Sequence, residues 1–96
     1  MDALPVVHDE SASKFSVQLP EGEAFLRYGK HDRCLNFLHT FVPDAARSKG
    51  VAEQMVLAGF QYAQANGLKV IPTCPYVSRA FLRRHPEFHA LTISTC

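Results

Sequence analysis

Three features of the sequence combine residue types that could bind an anion or carry out group transfer. The stretch RSKGVA, residues 47–52, brings two cations and a glycine to the place where a helix is predicted to begin. His39 lies before this turn and Cys74 after it, and these residue types serve as bases and nucleophiles. The first N–H groups of a helix lack backbone partners and attract negative charge, and glycine lets a ligand approach closely. The turn therefore predicts a diphosphate site, and the alternative is an exposed basic turn capped by Ser48.

Residue spacing excludes several familiar sites. A P-loop needs GxxxxGK followed by Ser or Thr, and a dinucleotide-binding turn needs GxGxxG, but this turn contains a single glycine. The three cysteines form neither CxxC nor a Cys/His pair at zinc-ligand spacing, so we expect no metal. Cys34 and Cys96 belong to no motif, and we interpret them as incidental, in a reducing compartment.

The hydrophobic pattern predicts the elements that position these residues. KFSVQLP and EAFLRYGK predict two strands, and CLNFLHTFV predicts a third that is apolar on both faces, as in an interior strand. Residues 48–67 predict a helix with an apolar stripe that stops at Asn66 and Gly67. LKVIPTC predicts a strand parallel to the third, YVSRAFLRRH predicts a second helix, and ALTIST could add a last strand. The expected fold class is α+β, with helices packed on a mixed sheet.

The length and composition indicate one ordinary globular domain over residues 1–96. Hydrophobic residues make up 47% of the chain and charged residues 20%, and the formal net charge is +1. We expect no nucleic-acid partner, because the chain lacks a strong basic field and an aromatic-basic stacking pattern. No apolar run approaches the ~20 residues that span a bilayer, and the first residues do not read as a signal peptide. These observations predict a soluble, cytoplasmic protein without a membrane partner.

The turn also resembles a known signature. RSKGVA is similar to the Arg/Gln-x-x-Gly-x-Gly/Ala pattern of the GNAT superfamily of acyl-CoA-dependent N-acetyltransferases. HTFVP, SKGVA, GFQYAQANGLKVIPTCPYV and RRHPEF resemble, in this order, the small single-domain YjdJ-like subgroup over residues 15–88. The resemblance implies a GNAT-like sheet whose two central strands splay apart to admit acetyl-CoA, with the diphosphate over the helix start. It assigns seven residues to the cofactor, namely Val42 at the pantetheine arm and Arg47, Ser48, Lys49, Gly50, Val51 and Ala52 at the diphosphate.

The catalytic groups are less well defined by the resemblance. Many members of the superfamily use a glutamate to deprotonate the amine and a tyrosine to protonate the thiolate. The subgroup usually carries an acid where this chain has Phe41, so one candidate base is missing. His39, Cys74 and Tyr76 remain, of which Tyr76 is the weakest candidate.

Each candidate has a structural alternative. Cys74 precedes a predicted helix start, where a thiolate is stabilised, but free cysteines are often small core residues. His39 shares a predicted strand face with Leu35, Phe37 and Phe41, so it is either the base or a core histidine. The basic cluster from Arg83 to His85 either compensates the dipole of the second helix or contacts the cofactor phosphates.

Three functions follow from this pattern. The first is transfer of an acetyl group from acetyl-CoA to an unidentified amine, either a protein side chain or a small amine such as a polyamine. The second is an acyl-CoA-binding module with little or no transfer, which Phe41 in place of an acid favours. The third is a partner-binding domain whose basic turn contacts acidic protein or RNA, against which the near-neutral charge counts.

Overall fold

Five strands form one mixed sheet, in which spatial order follows chain order. The computed structural model describes residues 5–94 and 96. Its strands are β1 (Val7–Asp9), β2 (Lys14–Leu19), β3 (Gly22–His31), β4 (Cys34–Phe41) and β5 (Lys69–Ile71). The pairs from β1 to β4 are antiparallel, and β5 runs parallel to β4. The α+β class and the parallel crossover are confirmed, and β1 adds a short strand that the sequence pattern did not predict.

The helices lie along one face of the sheet. Helix α1 (Val51–Ala65) follows a 3-10-helical segment (Asp44–Lys49), so the predicted start at Ser48 is three residues too early. A π-helical segment (Tyr76–Phe81) continues into the short helix α2 (Leu82–Arg84), where the second helix was predicted. A 3-10-helical segment (Pro86–Leu91) follows, and in its described part the predicted last strand is reduced to a single bridge between Val70 and Thr92, while Thr95 lies outside the described residues. In the described residues, every helix is too short or too polar to cross a membrane.

The apolar stripe of α1 packs directly on the sheet. Its Phe60 stacks on Phe81 and Phe88, so the later helical segments form one layer with α1. Gly59 lies against β4, where an added Cβ would come within 2.8 Å of the Phe37 ring. Close packing between α1 and the sheet therefore requires glycine at this position.

A β-bulge divides β4 into two halves with opposite orientation. Tyr28 pairs with Phe37 and Arg27 pairs with His39, so Leu38 is the extra residue on β4. Before the bulge, Phe37 is fully buried and packs against Phe60 of α1. After it, His39 turns to the face of the sheet that the helices leave uncovered. The prediction that His39 shares a face with Leu35 and Phe37 is therefore wrong.

The parallel pair β4 and β5 separates towards its carboxyl end. The strands pair only from Cys34 to Asn36, and a further backbone hydrogen bond runs from the Cys74 N–H to the Phe37 carbonyl, at 2.9 Å. Beyond this bond, β4 continues to Phe41, while the segment that follows β5 turns into the π-helical segment. The predicted divergence of these strands is confirmed.

Cys34 and Cys96 form a disulfide bond across a sequence separation of 62 residues. Their Cα atoms lie 6.2 Å apart, within the range that a disulfide spans without backbone movement. The interpretation of these two cysteines as incidental reduced thiols is therefore wrong. The bond fastens Cys96 to the first residue of β4.

Candidate functional site

A groove begins where β4 and β5 part. Its first part has a volume of about 250 Å³ and is lined by Thr40, Val42, Arg47, Ala52 and Tyr76. A second part of about 350 Å³ shares Arg47, Ala52 and Tyr76 with the first, and adds Gly50, Glu53, Ala80 and Arg84. The groove thus joins the splayed strands to the start of α1. A larger hollow of about 490 Å³ lies beside β5, around Ile71 and Ile93, and contains none of the predicted site residues.

The start of α1 is open to a ligand. Gly50 is its N-cap residue and has φ 74°, in the left-handed region that favours glycine. No described side chain caps the helix, so the first N–H groups are available to a group in the groove. The alternative of a Ser48 cap is not supported, because Ser48 lies within the preceding 3-10-helical segment. The side chain of Ser48 lies outside the described part of the structure.

The two cations of the turn have different surroundings. Arg47 lines both parts of the groove, and its Nε donates a hydrogen bond to the Val42 carbonyl at 3.2 Å. The same Nε lies 3.2 Å from the Asp44 carboxylate. Lys49 instead lies 3.6 Å from the Glu21 carboxylate and does not line the groove. Of the two predicted cations, Arg47 is therefore the one held in the groove wall.

A carboxylate that the sequence analysis missed lies in the first turn of α1. Glu53 accepts a hydrogen bond from His85 Nε2 at 2.6 Å, and its other oxygen lies 3.4 Å from Arg84. The bond from His85 lowers the pKa of Glu53, and the same bond, with help from Glu87, raises the pKa of His85. The basic cluster of the sequence thus neutralises an acid at the helix start. No local pattern relates residues 32 positions apart, so the sequence offered no signal for this pair.

The three catalytic candidates occupy three different environments. Cys74 is only 4% exposed and lies behind the groove wall, with its Sγ 3.4 Å from Thr40 Oγ1. His39 is exposed on the uncovered face of the sheet, with its ring 6.1 Å from that of Phe25. Tyr76 lines both parts of the groove, and burial raises the pKa of its hydroxyl. Tyr76, the weakest candidate on sequence grounds, therefore has the most direct access to the groove.

The structure brings only part of the predicted set together. The residues Val42, Arg47, Gly50 and Ala52 line the groove, whereas Val51 is buried beneath it. Thr40 was missed, although it precedes Val42 by two positions on a predicted strand and so shares its face. The arrangement combines a groove of mixed polarity at the strand ends with an uncapped helix start, which suits a ligand with a thin arm and an anionic group.

Comparison of the sequence with known proteins gives a family match and several similar proteins. The family model of GCN5-related N-acetyltransferases matches residues 14–91. Protein NATD1 of Mus musculus is 34% identical over 88 residues, which cover 86% of this chain and 77% of that protein. Protein NATD1 of Xenopus tropicalis is 32% identical over 89 residues, covering 88% and 79%.

A solved structure supports the fold independently. The solution structure of a GCN5-like protein from Staphylococcus aureus superposes with a TM-score of 0.71 and covers 100% of this chain and 94% of its own. The two sequences are 24% identical, so this likeness concerns the fold alone. It matches the mixed sheet and the helical layer described above.

Proposed function

The chain belongs to the family of GCN5-related N-acetyltransferases, and we propose that it transfers an acetyl group from acetyl-CoA to an amine, with the groove as its cofactor site. The observation that carries this proposal is the continuity of the groove. Its two parts share Arg47, Ala52 and Tyr76, and together they extend from the splayed ends of β4 and β5 to the glycine-capped start of α1. Acetyl-CoA has a matching shape, with a thin pantetheine arm attached to a diphosphate.

The diphosphate lies over the first turn of α1 in this proposal. The free N–H groups and the helix dipole favour an anion there, and Gly50 leaves the backbone uncovered. Arg47 and Arg84 line the groove beside this turn and supply positive charge. Glu53 lies in the same turn, but its charge is balanced by Arg84 and His85.

The pantetheine arm runs along the end of β4 and carries the thioester to the point where the strands part. Val42 and Thr40 line that end of the groove, and Thr40 also contacts Cys74. The amine attacks the thioester carbonyl directly, so that an N–C bond forms and the C–S bond breaks. In this proposal the amine approaches from the uncovered face of the sheet, where His39 takes the proton that it loses, and Tyr76 gives a proton to the thiolate that leaves.

Direct attack agrees better with the surroundings of Cys74 than a covalent intermediate does. A nucleophilic thiol needs access to the carbonyl carbon, whereas Cys74 is 4% exposed and lies behind Thr40. Tyr76 has the required access, and its raised pKa keeps the hydroxyl protonated at neutral pH. In this mechanism, Cys74 and Thr40 shape the reactive end of the groove.

A second candidate function is an acyl-CoA-binding module without efficient transfer. Phe41 favours it, because an exposed aromatic side chain stands where the subgroup usually has an acid. The same groove would bind the cofactor, and only the acceptor step would be missing.

One experiment separates the two functions. The protein is incubated with acetyl-CoA alone and then with a panel of amines. The masses of the protein and of the amines are then measured by mass spectrometry. Transfer to an amine supports the acetyltransferase, and binding of acetyl-CoA without transfer supports the binding module. Absence of both acetyl-CoA binding and transfer would remove the proposed site.

A further inference from the structure

An apolar patch lies on the face of the sheet opposite the helices. We use the name aromatic patch for Phe25, Leu38 and Phe41. The Phe25 and Phe41 rings are stacked, with their centroids 5.6 Å apart, and Leu38 and Phe41 are 42% and 41% exposed. The bulge at Leu38 produces this patch, because it turns the end of β4 over. Leu38 lies further along β4, next to Gly29, and exposed apolar side chains on one face of a sheet indicate a binding surface.

The aromatic patch adjoins the reactive end of the groove from the other side of the sheet. Thr40 lines the groove, and its neighbours His39 and Phe41 project from the opposite face of the same strand. The helical layer and the proposed cofactor occupy the groove side. An acceptor amine therefore has its open approach across the aromatic patch, past the exposed imidazole of His39.

The charge around the aromatic patch is positive. Arg27 pairs with His39 across β3 and β4, and its guanidinium carbon lies 6.0 Å from the centre of the Phe25 ring. Among the described residues, Arg27 forms no salt bridge. The carboxylates near this end of the sheet already have cationic partners, in the pairs Glu21–Lys49, Glu23–Lys14 and Asp44–Arg47.

From this arrangement, and resting on the proposed function, we propose that the acceptor is a lysine in an extended protein segment, flanked by an acidic and an apolar side chain. The apolar side chain covers Leu38 and Phe41, and the carboxylate pairs with Arg27. The unbranched lysine stem carries its amine past His39 to the thioester. A polyamine fits poorly, because its several cations would meet Arg27 and find no unpaired carboxylate on the aromatic patch.

The test compares matched acceptors. Three synthetic peptides carry one lysine between Leu and Asp, Leu and Ser, or Leu and Arg, and spermidine is the fourth acceptor. We expect initial rates at low acceptor concentration to fall in this order, by about fivefold for each change at the charged position, the upper range for an exposed ion pair. Spermidine should be the slowest acceptor, and a rate equal to that of the acidic peptide would overturn the proposal.

Charge reversal on the protein gives the sharper result. Arg27→Glu should invert the ranking of the Asp and Arg peptides, while acetyl-CoA binding stays unchanged. Lys30→Glu is the matched control, because it makes the same charge change on an exposed residue of β3 outside the aromatic patch, and it should keep the wild-type ranking. An unchanged ranking in Arg27→Glu would overturn the assignment of the acidic contact.

Peptide binding can also be read without turnover. Titration of the acetyl-CoA complex with the Leu-Lys-Asp peptide should shift the backbone amide NMR signals of Leu38 and Phe41, and Phe41→Ser should weaken binding. If no acceptor is acetylated but these shifts occur, transfer fails and the docking surface stands. If the signals do not move, the surface is wrong even when transfer occurs. Light scattering that shows a wild-type dimer and a Phe41→Asp monomer would instead assign the aromatic patch to a second copy of the chain.

Discussion

The Nε2 of His85 donates a 2.6 Å hydrogen bond to the carboxylate of Glu53, in the first turn of α1. A carboxylate at this place would repel the phosphates of the proposed cofactor. When it is protonated, the imidazole cancels that charge, and Arg84 adds a second cation. The proposed anion site can therefore contain an acid because Arg84 and His85 reach it from the later helical segment.

This pair predicts a pH dependence of CoA binding. His85 has a raised pKa, so its charge is present at lower pH and is lost as the pH rises through that raised value. We expect the dissociation constant of CoA, measured by calorimetry, to increase over this range because the Glu53 charge becomes exposed to the phosphates. His85→Gln should bind CoA more weakly at neutral pH and show a flatter profile. An equally steep profile in His85→Gln would assign the titration to another group.

The stability linked to this pair has the same sign. Because the folded state raises the pKa of His85, the stabilisation is present below its ordinary value of 6.5 and is lost as the pH rises through the raised value. His8 acts in the opposite sense, since burial lowers its pKa and stability is lost as the pH falls below 6.5. Melting curves of His85→Gln should therefore retain only the decline on the acidic side.

The two glycines at the ends of α1 provide a matched pair of variants. Gly50 and Gly67 have φ 74° and 68°, and an added Cβ at either would meet no atom within 4 Å. Alanine at each should cost roughly 1–2 kcal/mol of stability through the left-handed backbone. Only Gly50→Ala should also weaken acetyl-CoA binding, because its methyl group lies over the proposed diphosphate.

Thermal shift measurements check this difference. Acetyl-CoA at one hundred times its dissociation constant should stabilise the wild type and Gly67→Ala by about 2.7 kcal/mol. Gly50→Ala should respond less at the same concentration. Equal responses in the two variants would remove the diphosphate from the helix start.

Variants of the groove wall distinguish direct attack from a covalent intermediate. Tyr76→Phe should lower kcat while leaving CoA binding almost unchanged, because only the hydroxyl is removed. Cys74→Ala should retain a measurable rate, with a modest loss from the small cavity that it leaves. Acetyl-CoA alone should add no acetyl group to Cys74, and intact-protein mass spectrometry of the wild type would reveal such an adduct.

The contact between Gly59 and Phe37 makes a stability prediction. A Cβ at Gly59 would lie 2.8 Å from a fully buried ring, so the ring or the helix must move. Overpacking of this kind costs about 1–3 kcal/mol, against a helix preference for alanine of about 0.5–1 kcal/mol. Gly59→Ala should therefore lower the free energy of unfolding by about 1 kcal/mol in urea titrations. Gln64→Ala, at an exposed position of the same helix, should change it by less.

The disulfide makes a further stability prediction. A bond that closes a loop of this length contributes about 4 kcal/mol in the chain-entropy account. Reduction with dithiothreitol, or Cys96→Ser, should lower the urea midpoint accordingly. Dithiothreitol should leave the midpoint of Cys96→Ser unchanged, and peptide mapping without reduction should recover Cys34 and Cys96 in one linked fragment.

The hydrophobic periodicity of the sequence predicted the elements that bury a face of their own, such as α1. The stripe of α1 and the apolar β4 were read correctly, because burial repeats at the period of the helix or strand. β1 was missed since three residues are too few to show a period. The bulge was missed because a strand that is apolar on both faces looks the same with one residue more.

The candidate site likewise contains features that the sequence predicts and features that it does not. The turn around Gly50 could be predicted, because its glycine and cations are neighbours in the sequence. Glu53 with His85 and Cys34 with Cys96 could not, since each pair is created by the fold from residues far apart along the chain. Thr40 lies between these cases, as its position on the strand was known but not the side on which the groove would open.

Leu38 determines which side chains of β4 point to each face of the sheet. Up to Phe37 the odd-numbered side chains point to the helices, and beyond Leu38 the even-numbered ones do, so Thr40 meets the groove while His39 and Phe41 meet the open side. If Leu38 instead took a regular place in the ladder opposite Arg27, the two sets would be exchanged, burying the imidazole and moving the Thr40 hydroxyl away from Cys74. Which side chains of β4 line the groove and which face the open side is thus determined by the one residue that the strand leaves out of its pairing with β3.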